Sequence, residues 1–372
     1  MIYLDYSATT PVDPEVLRTY CGVETTCFAN PNSPHCLGRQ ADERIKECLT
    51  EISQLLCVLP EEIIFTSSAT EANNLAIKGY AEKHPELRHI ITSPLEHSSV
   101  VATLGVLQRA DYDVDMVELD EHGRYDLVSL ASLIRADTLM ISLVAVDSET
   151  GIRQPVEEAA KLAKQQHVAF HCDLTQTIGK CSVDMSDMDL AVFSAHKFYG
   201  PKGIGVLIKK KTISLTPMIN GGHSTTSYRS GTPATALIAA LSRALGIAET
   251  GLDEHYRKVA LLRNYLLDRF NSLAGVYINS NEYSIPQILN ISIPGTDPEK
   301  WIQCLSEQGI CLSSKSACSG KENFSRSVYA ITHDDARAIS SLRISLSYKT
   351  ELFELRRFTD VFERFLRDGN CR

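Results

Sequence analysis

The residues with the most chemical potential lie together in Ser194-Ala195-His196-Lys197-Phe198-Tyr199-Gly200-Pro201-Lys202-Gly203. A strand-like run, Leu190 to Phe193, delivers a serine, a histidine and a lysine onto a turn made sharp by Gly200, Pro201 and Gly203. Turns of this kind expose reactive side chains on an α/β scaffold. An amine in a partly desolvated pocket has a lowered pKa, which suits Lys197 to condense with an aldehyde cofactor and then to move protons. Taken alone, the stretch is better read as carrying a solvated surface lysine, and it is the residues around the other strands that overturn this.

Those strands recur in a regular rhythm. Glu62 to Thr66, His89 to Ser93, Leu139 to Val146, Val168 to Asp173, Leu190 to Ser194 and Gly205 to Lys209 read as strands. Helical patterns such as Ala72 to Lys83 and Val156 to Gln166 separate most of them. This alternation predicts an α/β fold with a largely parallel sheet covered by helices on both faces. On such sheets ligands sit at the carboxyl ends of the strands. The notable polar residues all follow strands. Ser67 to Thr70 opens a helix whose free N–H groups and dipole form an anion cup. Glu96-His97 follows the next strand, where a histidine either stacks on an aromatic cofactor or serves as an ordinary hydrogen-bonded loop residue. Asp173 ends a strand with Gln176 one turn on, and a buried aspartate there is stabilised if it faces a pyridinium nitrogen. Ser194 and His196 add donors beside Lys197.

The composition, 44% hydrophobic and 22% charged, is that of an ordinary globular chain able to bury a core. The 372 residues favour two subdomains over one core. With 37 basic and 46 acidic residues the net charge is −9, without long runs of either sign, which argues against nucleic acid or an anionic membrane as the main partner. No apolar run is long enough to span a bilayer, and Met1-Ile2-Tyr3-Leu4-Asp5 has neither part of a signal peptide, so a cytoplasmic location is expected. Eleven cysteines without CxxC spacing indicate neither a disulfide framework nor a zinc site, and most should be small buried hydrophobes. Cys318 differs from the rest: it sits in Ser313 to Gly320, a Ser/Lys/Gly-rich stretch with no hydrophobic periodicity.

The segments LDYSATTPVDP (4–14), NPNSPHCLG (30–38), FTSSATEANNLAIKG (65–79), LEHSSV (95–100), HCDLTQTIGK (171–180), FSAHKFYGPKGIG (193–205), RSGTP (229–233) and SSKSAC (313–318), in this order, resemble the NifS/IscS-type cysteine desulfurases of the class-V aminotransferase group. The resemblance spans nearly the whole chain. It implies a fold-type I enzyme dependent on pyridoxal phosphate (PLP), with a large domain over 14–255 and a small domain made of 1–13 and 256–372, joined by helical residues near 234–272.

By that resemblance Lys197 carries PLP, Asp173 pairs with its ring nitrogen, Gln176 donates toward its phenolic oxygen, and His97 stacks on the ring and moves protons. Ala69, Thr70, Ser194 and His196 bind the phosphate, and Thr232 reaches it from the other subunit of a homodimer. Arg343 clamps the substrate carboxylate, with Asn30 nearby and Ser148 at the position of a family asparagine. L-Cysteine is then the substrate, and Cys318 takes its sulfur as a persulfide for an acceptor protein in iron–sulfur cluster assembly or in tRNA or cofactor thiolation. Lys315 either lowers the pKa of Cys318 or is a solvated charge. Metal is not implied. Departures from the family pattern are Ser68 for glycine in the phosphate turn, Ser148, Leu174 with bulk expected to press on the cofactor, and Gly221 to Tyr228 as the glycine-rich segment before Arg229, without the arginine that segment usually carries. After an amphipathic helix expected over Thr350 to Leu366, the longer tail of IscS-type members is unmatched, so acceptor docking is expected to differ. The alternatives are a PLP enzyme of the same scaffold with another substrate, such as a selenocysteine lyase or aminotransferase, and a weakly active sulfur-relay scaffold.

Overall fold

The computed structural model describes residues 1–222, 224–314 and 324–369. In chain order the elements are β1 (Ile2–Tyr3), α1 (Pro14–Thr26), α2 (Cys36–Leu56), β2 (Ile63–Thr66), α3 (Ala69–Lys83), β3 (His89–Thr92), α4 (Ser98–Gln108), β4 (Asp113–Met116), α5 (Leu127–Leu133), β5 (Thr138–Val144), α6 (Val156–Gln165), β6 (Ala169–Asp173), β7 (Leu190–Ser194) and β8 (Gly205–Lys209). They continue with α7 (Thr235–Thr250), α8 (Leu252–Asn271), β9 (Tyr277–Ile278), β10 (Ile288–Ser292), α9 (Pro298–Glu307), β11 (Ile310–Cys311), α10 (Arg326–Thr332), α11 (Asp335–Ile339), β12 (Ser341–Ser345) and α12 (Leu352–Asp368).

Among the described residues seven strands form one sheet, in the order β2-β8-β7-β6-β5-β3-β4. Every residue of β5 and of β6 is buried, as expected of strands covered on both faces. The pairs β7/β6, β6/β5, β5/β3 and β3/β4 are parallel, whereas β8 runs antiparallel to both β7 and β2. The largely parallel sheet is therefore present with one reversed strand. That reversal makes the lysine turn a hairpin, with Ser194 opposite Gly205. Gly200 N and Phe198 N both donate to Ala195 O, and Tyr199 and Gly203 adopt left-handed φ values of 67° and 88°. β4 was not legible as a strand: it is a four-residue edge strand with exposed Asp113 and Met116, too short for its Val114/Met116 alternation to stand out.

Helix starts follow their caps. Asp13 caps α1 through Glu15 N, with Pro14 at the first helical position. The Ser68 side chain accepts from Glu71 N, so α3 begins at Ala69, three residues earlier than its apolar pattern suggests. The long helical run after residue 234 is two helices, α7 and α8, that meet at Gly251 with a 67° bend. A side chain at Gly251 would strike the His255 ring, its Cβ falling 2.4 Å from Cε1. Among the described residues no single helix is long and apolar enough to cross a membrane.

Two main apolar regions organise the chain. One lies on both faces of the seven-stranded sheet and draws its buried residues from Val16 to Ala248. The other gathers Ile2 and Leu4 with residues from Val259 to Phe362, including Trp301, Phe358 and Phe362. α12 supplies Leu355, Phe358 and Phe362 to it, with Val361 and Phe365 partly buried, whereas Leu352 at its start is exposed. β1 pairs in parallel with β11, which attaches the N-terminal segment to this second region.

β8 meets the start of α3 at Gly205. A Cβ there would lie 2.5 Å from the Ser68 carbonyl carbon and 2.8 Å from Ala69 N, both backbone atoms that have no room to yield. Gly205→Ala is expected to destabilise the protein by about 1–3 kcal/mol. A urea midpoint unchanged from the native protein would contradict this packing.

Candidate functional site

The carboxyl ends of β5, β6 and β7 open into a cleft. Its wall takes Ser68, Ala69 and Thr70 from the start of α3, and His97 from the cap of α4. Ser148 lies beyond β5, and Asp173, Thr175 and Gln176 lie at the end of β6. The β7–β8 hairpin adds His196 and Lys197, the N-terminal segment adds Ser7 and Ala8, and β12 adds Arg343. The sheet topology thus brings together residues separated by more than 300 positions.

Lys197 Nζ donates to Ser7 O at 2.6 Å and to Ala8 O at 3.0 Å. Gln176 Nε2 donates to the same Ser7 carbonyl at 3.0 Å, and its Oε1 accepts from Lys180 Nζ. Lys180 is buried, and burial, followed by the nearby charge of Lys197, pulls its pKa down to about 7. Burial, and after it the charges of Lys197 and Lys180, pulls His196 down to about 4, so it is neutral at neutral pH. Asp173 Oδ1 accepts from Thr175 N at 2.9 Å and Oδ2 accepts from Asn73 Nδ2 at 2.9 Å. These two bonds aim the carboxylate along the end of β6.

Arg343 is buried, with Nη1 donating to Ser148 O at 2.9 Å and Nη2 to Ser313 Oγ at 2.8 Å and Asp5 Oδ1 at 3.1 Å. Asp5 thereby supplies the counter-charge that a buried guanidinium needs. Its Nε has no hydrogen-bond partner among the described residues, and neither has the buried Thr175 Oγ1. An amine, a carboxylate at strand end, an imidazole and a helix N-terminus are the donor set that a phosphorylated pyridine aldehyde requires, so these residues fit PLP.

The cleft holds Lys197, Asp173, Gln176, His97, Ala69, Thr70, His196, Arg343 and Ser148 of the residues expected from sequence. Ser194 is buried off the wall, its hydroxyl donating to Ile204 O at 3.2 Å. Asn30 shapes the loop before α2, accepting from Asn32 N through Oδ1, and it is absent from the wall, as is Thr232. Cys318 and Lys315 lie outside the described residues. Leu174 corrects an expectation: it is fully buried in the core beneath the sheet and does not line the cleft, so its bulk does not press on a ligand. Ser148 contributes its backbone carbonyl to Arg343. The sequence reading missed Ser7, Thr175, Asn73 and Lys180. Thr175 sat between two identified residues in Asp173-Leu174-Thr175-Gln176, which was the available signal.

A sequence model of the family described as Aminotransferase class-V matches residues 2–358. The cysteine desulfurase IscS of Pectobacterium atrosepticum is 38% identical over 355 residues, covering 93% of this chain and 87% of that protein. The protein of the same name from Neisseria meningitidis is 35% identical, covering 99% of this chain and 96% of its own length. Among solved structures, a NifS-like protein superposes with a TM-score of 0.92 at 33% identity, covering 98% of this chain and 99% of that one. SspA in complex with cysteine superposes with a TM-score of 0.82 at 31% identity, covering 93% and 99%.

Glu96 behind the cleft is fully buried. Its Oε1 accepts from Ser93 Oγ at 2.7 Å and Val144 N at 2.8 Å, while Oε2 has no partner among the described residues. Burial, together with the charges of Asp173 and Asp147, pushes its pKa up to about 8. A carboxyl raised above its unfolded value of about 4.3 contributes its full stability below that pH and loses it as the pH climbs toward the folded value. Glu96→Gln, which does not titrate, is therefore expected to gain in melting temperature relative to the native protein between about pH 5 and pH 8. A difference that is flat or falls over this window would contradict a protonated Glu96.

Proposed function

Because the chain belongs to the class-V aminotransferase family, we propose that it is a PLP-dependent L-cysteine desulfurase that passes sulfur through Cys318 to an acceptor. The observation that carries this reading is the convergence of Lys197, Asp173, His97 and Arg343 on one cleft with the N-terminus of α3. When bound, PLP supplies an electron sink for the pair left behind when the substrate loses its Cα proton.

Lys197 holds the cofactor and, once released, takes the Cα proton of the substrate. Asp173, aimed by Thr175 N and Asn73, keeps the ring nitrogen protonated, and the start of α3 with His196 receives the phosphate. Arg343 receives the carboxylate of L-cysteine, held in place beforehand by Ser148, Ser313 and Asp5. The Cys318 thiolate takes the substrate sulfur: the Cβ–S bond breaks, an S–S bond forms, and protons return to the three-carbon fragment. L-Cysteine and the enzyme thiol thus become L-alanine and an enzyme persulfide.

The domain division at 13/14 and 255/256 is part of the same reading, supported by separate apolar regions on either side of residues 248–259. So are a cytoplasmic homodimer in which Thr232 reaches the partner's phosphate site, and an acceptor protein in iron–sulfur assembly or tRNA thiolation.

With L-cysteine and a reductant, the native protein is expected to release equal amounts of alanine and sulfide. Lys197→Ala should lower both by on the order of 10²-fold or more, and Cys318→Ser should abolish persulfide formation. A PLP-loaded native protein that releases neither product, or a Cys318→Ser variant with full activity, would overturn the assignment.

A further inference from the structure

His97 is the N-cap of α4, and its Nδ1 accepts from Ser99 N at 3.1 Å. The Ser99 hydroxyl lies 2.8 Å from the same Nδ1 and accepts from Asn73 Nδ2 at 2.9 Å. Because Nδ1 already accepts from the Ser99 backbone N–H it carries no proton, so across the 2.8 Å contact it is the Ser99 hydroxyl that donates to His97. The other hydrogen of Asn73 Nδ2 goes to Asp173 Oδ2. Asn73 Oδ1 faces His171 Nε2 at 3.1 Å, and His171 Nδ1 faces Ser142 Oγ at 2.8 Å. Reversing the Asn73 amide would set its oxygen against the Asp173 carboxylate in a dry site, which is costly. Asn73 and His171 are both fully buried, so water cannot repair a broken link.

We propose that Asn73 and Ser99 are positioning residues that join His97 to Asp173 as one unit and hold His97 in the neutral tautomer with its proton on Nε2. A ring nitrogen that accepts two hydrogen bonds carries no proton, and a neutral imidazole then has it on the other nitrogen. The Nδ1 edge is turned to α4, so the N–H lies on the edge directed away from that helix. Burial favours the neutral ring; of the charged groups facing it, Asp173 favours the imidazolium and Lys197 opposes it. The consequence for catalysis rests on the desulfurase reading, because His97 would then offer the cleft a hydrogen-bond donor at rest. The tautomer itself does not depend on that reading.

The test is a long-range ¹⁵N–¹H spectrum of histidine-labelled holoenzyme, with the His97 signals assigned by their loss in His97→Gln. The native protein should show one tautomer, with an unprotonated Nδ1. In Asn73→Leu the Ser99 hydroxyl loses the donor that fixes its rotamer while Ser99 N stays on Nδ1, so the hydroxyl bond weakens and the His97 Nδ1 signal should shift toward that of a less strongly hydrogen-bonded, unprotonated nitrogen. Loss of one such bond should lower kcat about tenfold with a smaller change in KM. Ser99→Thr, which keeps the hydroxyl, should retain the native spectrum. A protonated Nδ1 in the native protein, or an Asn73→Leu variant that melts lower but keeps the native His97 pattern, would overturn the proposal. A native protein with the expected tautomer that releases no alanine from L-cysteine would overturn the desulfurase reading and leave the positioning inference standing.

Discussion

Two backbone carbonyls, those of Ser7 and Ala8, hold the amine of Lys197, and much of the structure serves to keep them there. The segment that carries them is irregular and has no sheet of its own to fix it. It is fastened instead at both ends. Ile2 and Tyr3 pair with Ile310 and Cys311, and Ser7 N donates to Ser345 Oγ on β12. Thr10 donates to His196 O through both its N and its Oγ1, and Tyr199 N donates back to Thr10 Oγ1. The first ten residues therefore bind the β7–β8 hairpin to the second apolar region. Displacing either region would move the carbonyls that position the reactive amine, which ties the relation between the two regions to the chemistry.

The cleft also shows how charge is tolerated in a dry setting. A counter-charge offsets the burial of one group: Arg343 meets Asp5 at 3.1 Å. Where burial prevails, the group moves toward neutrality, as for Glu96, His196 and Lys180. Lys180 and Lys197 are like-charged neighbours linked through Gln176 and Ser7, so a charge on one disfavours a charge on the other. A buried lysine that bonds an amide oxygen fixes which end of Gln176 faces the cleft, a role separate from carrying a cofactor.

The residues that follow strands were legible because strand ends and helix caps leave local signatures. The Lys197 turn, the helix opening at Ser67 to Thr70 and Asp173 could be found from neighbouring residue types, whereas Arg343, inside β12, was reached only through the family resemblance. The reversed direction of β8 could not, since a strand's direction is set by its partners and leaves no mark on its own periodicity. Asn73 was within a recognised segment yet unremarkable, because a polar residue inside a helix pattern is ordinarily solvent-exposed. Its meaning comes from His171 and Asp173, about a hundred positions away. Leu174 was misjudged for a related reason: adjacent residues at a strand end point to opposite faces, so the residue after Asp173 enters the core while Asp173 faces the cleft.

The central claim is that Lys197, and not the buried Lys180 linked to it through Gln176 and the Ser7 carbonyl, is the amine that holds the cofactor. Borohydride reduction of the PLP-loaded protein, followed by peptide mass mapping, tests it most directly. The account predicts a phosphopyridoxyl group on the peptide carrying Lys197 and none on the peptide carrying Lys180. A label on Lys180, or on neither, would contradict it.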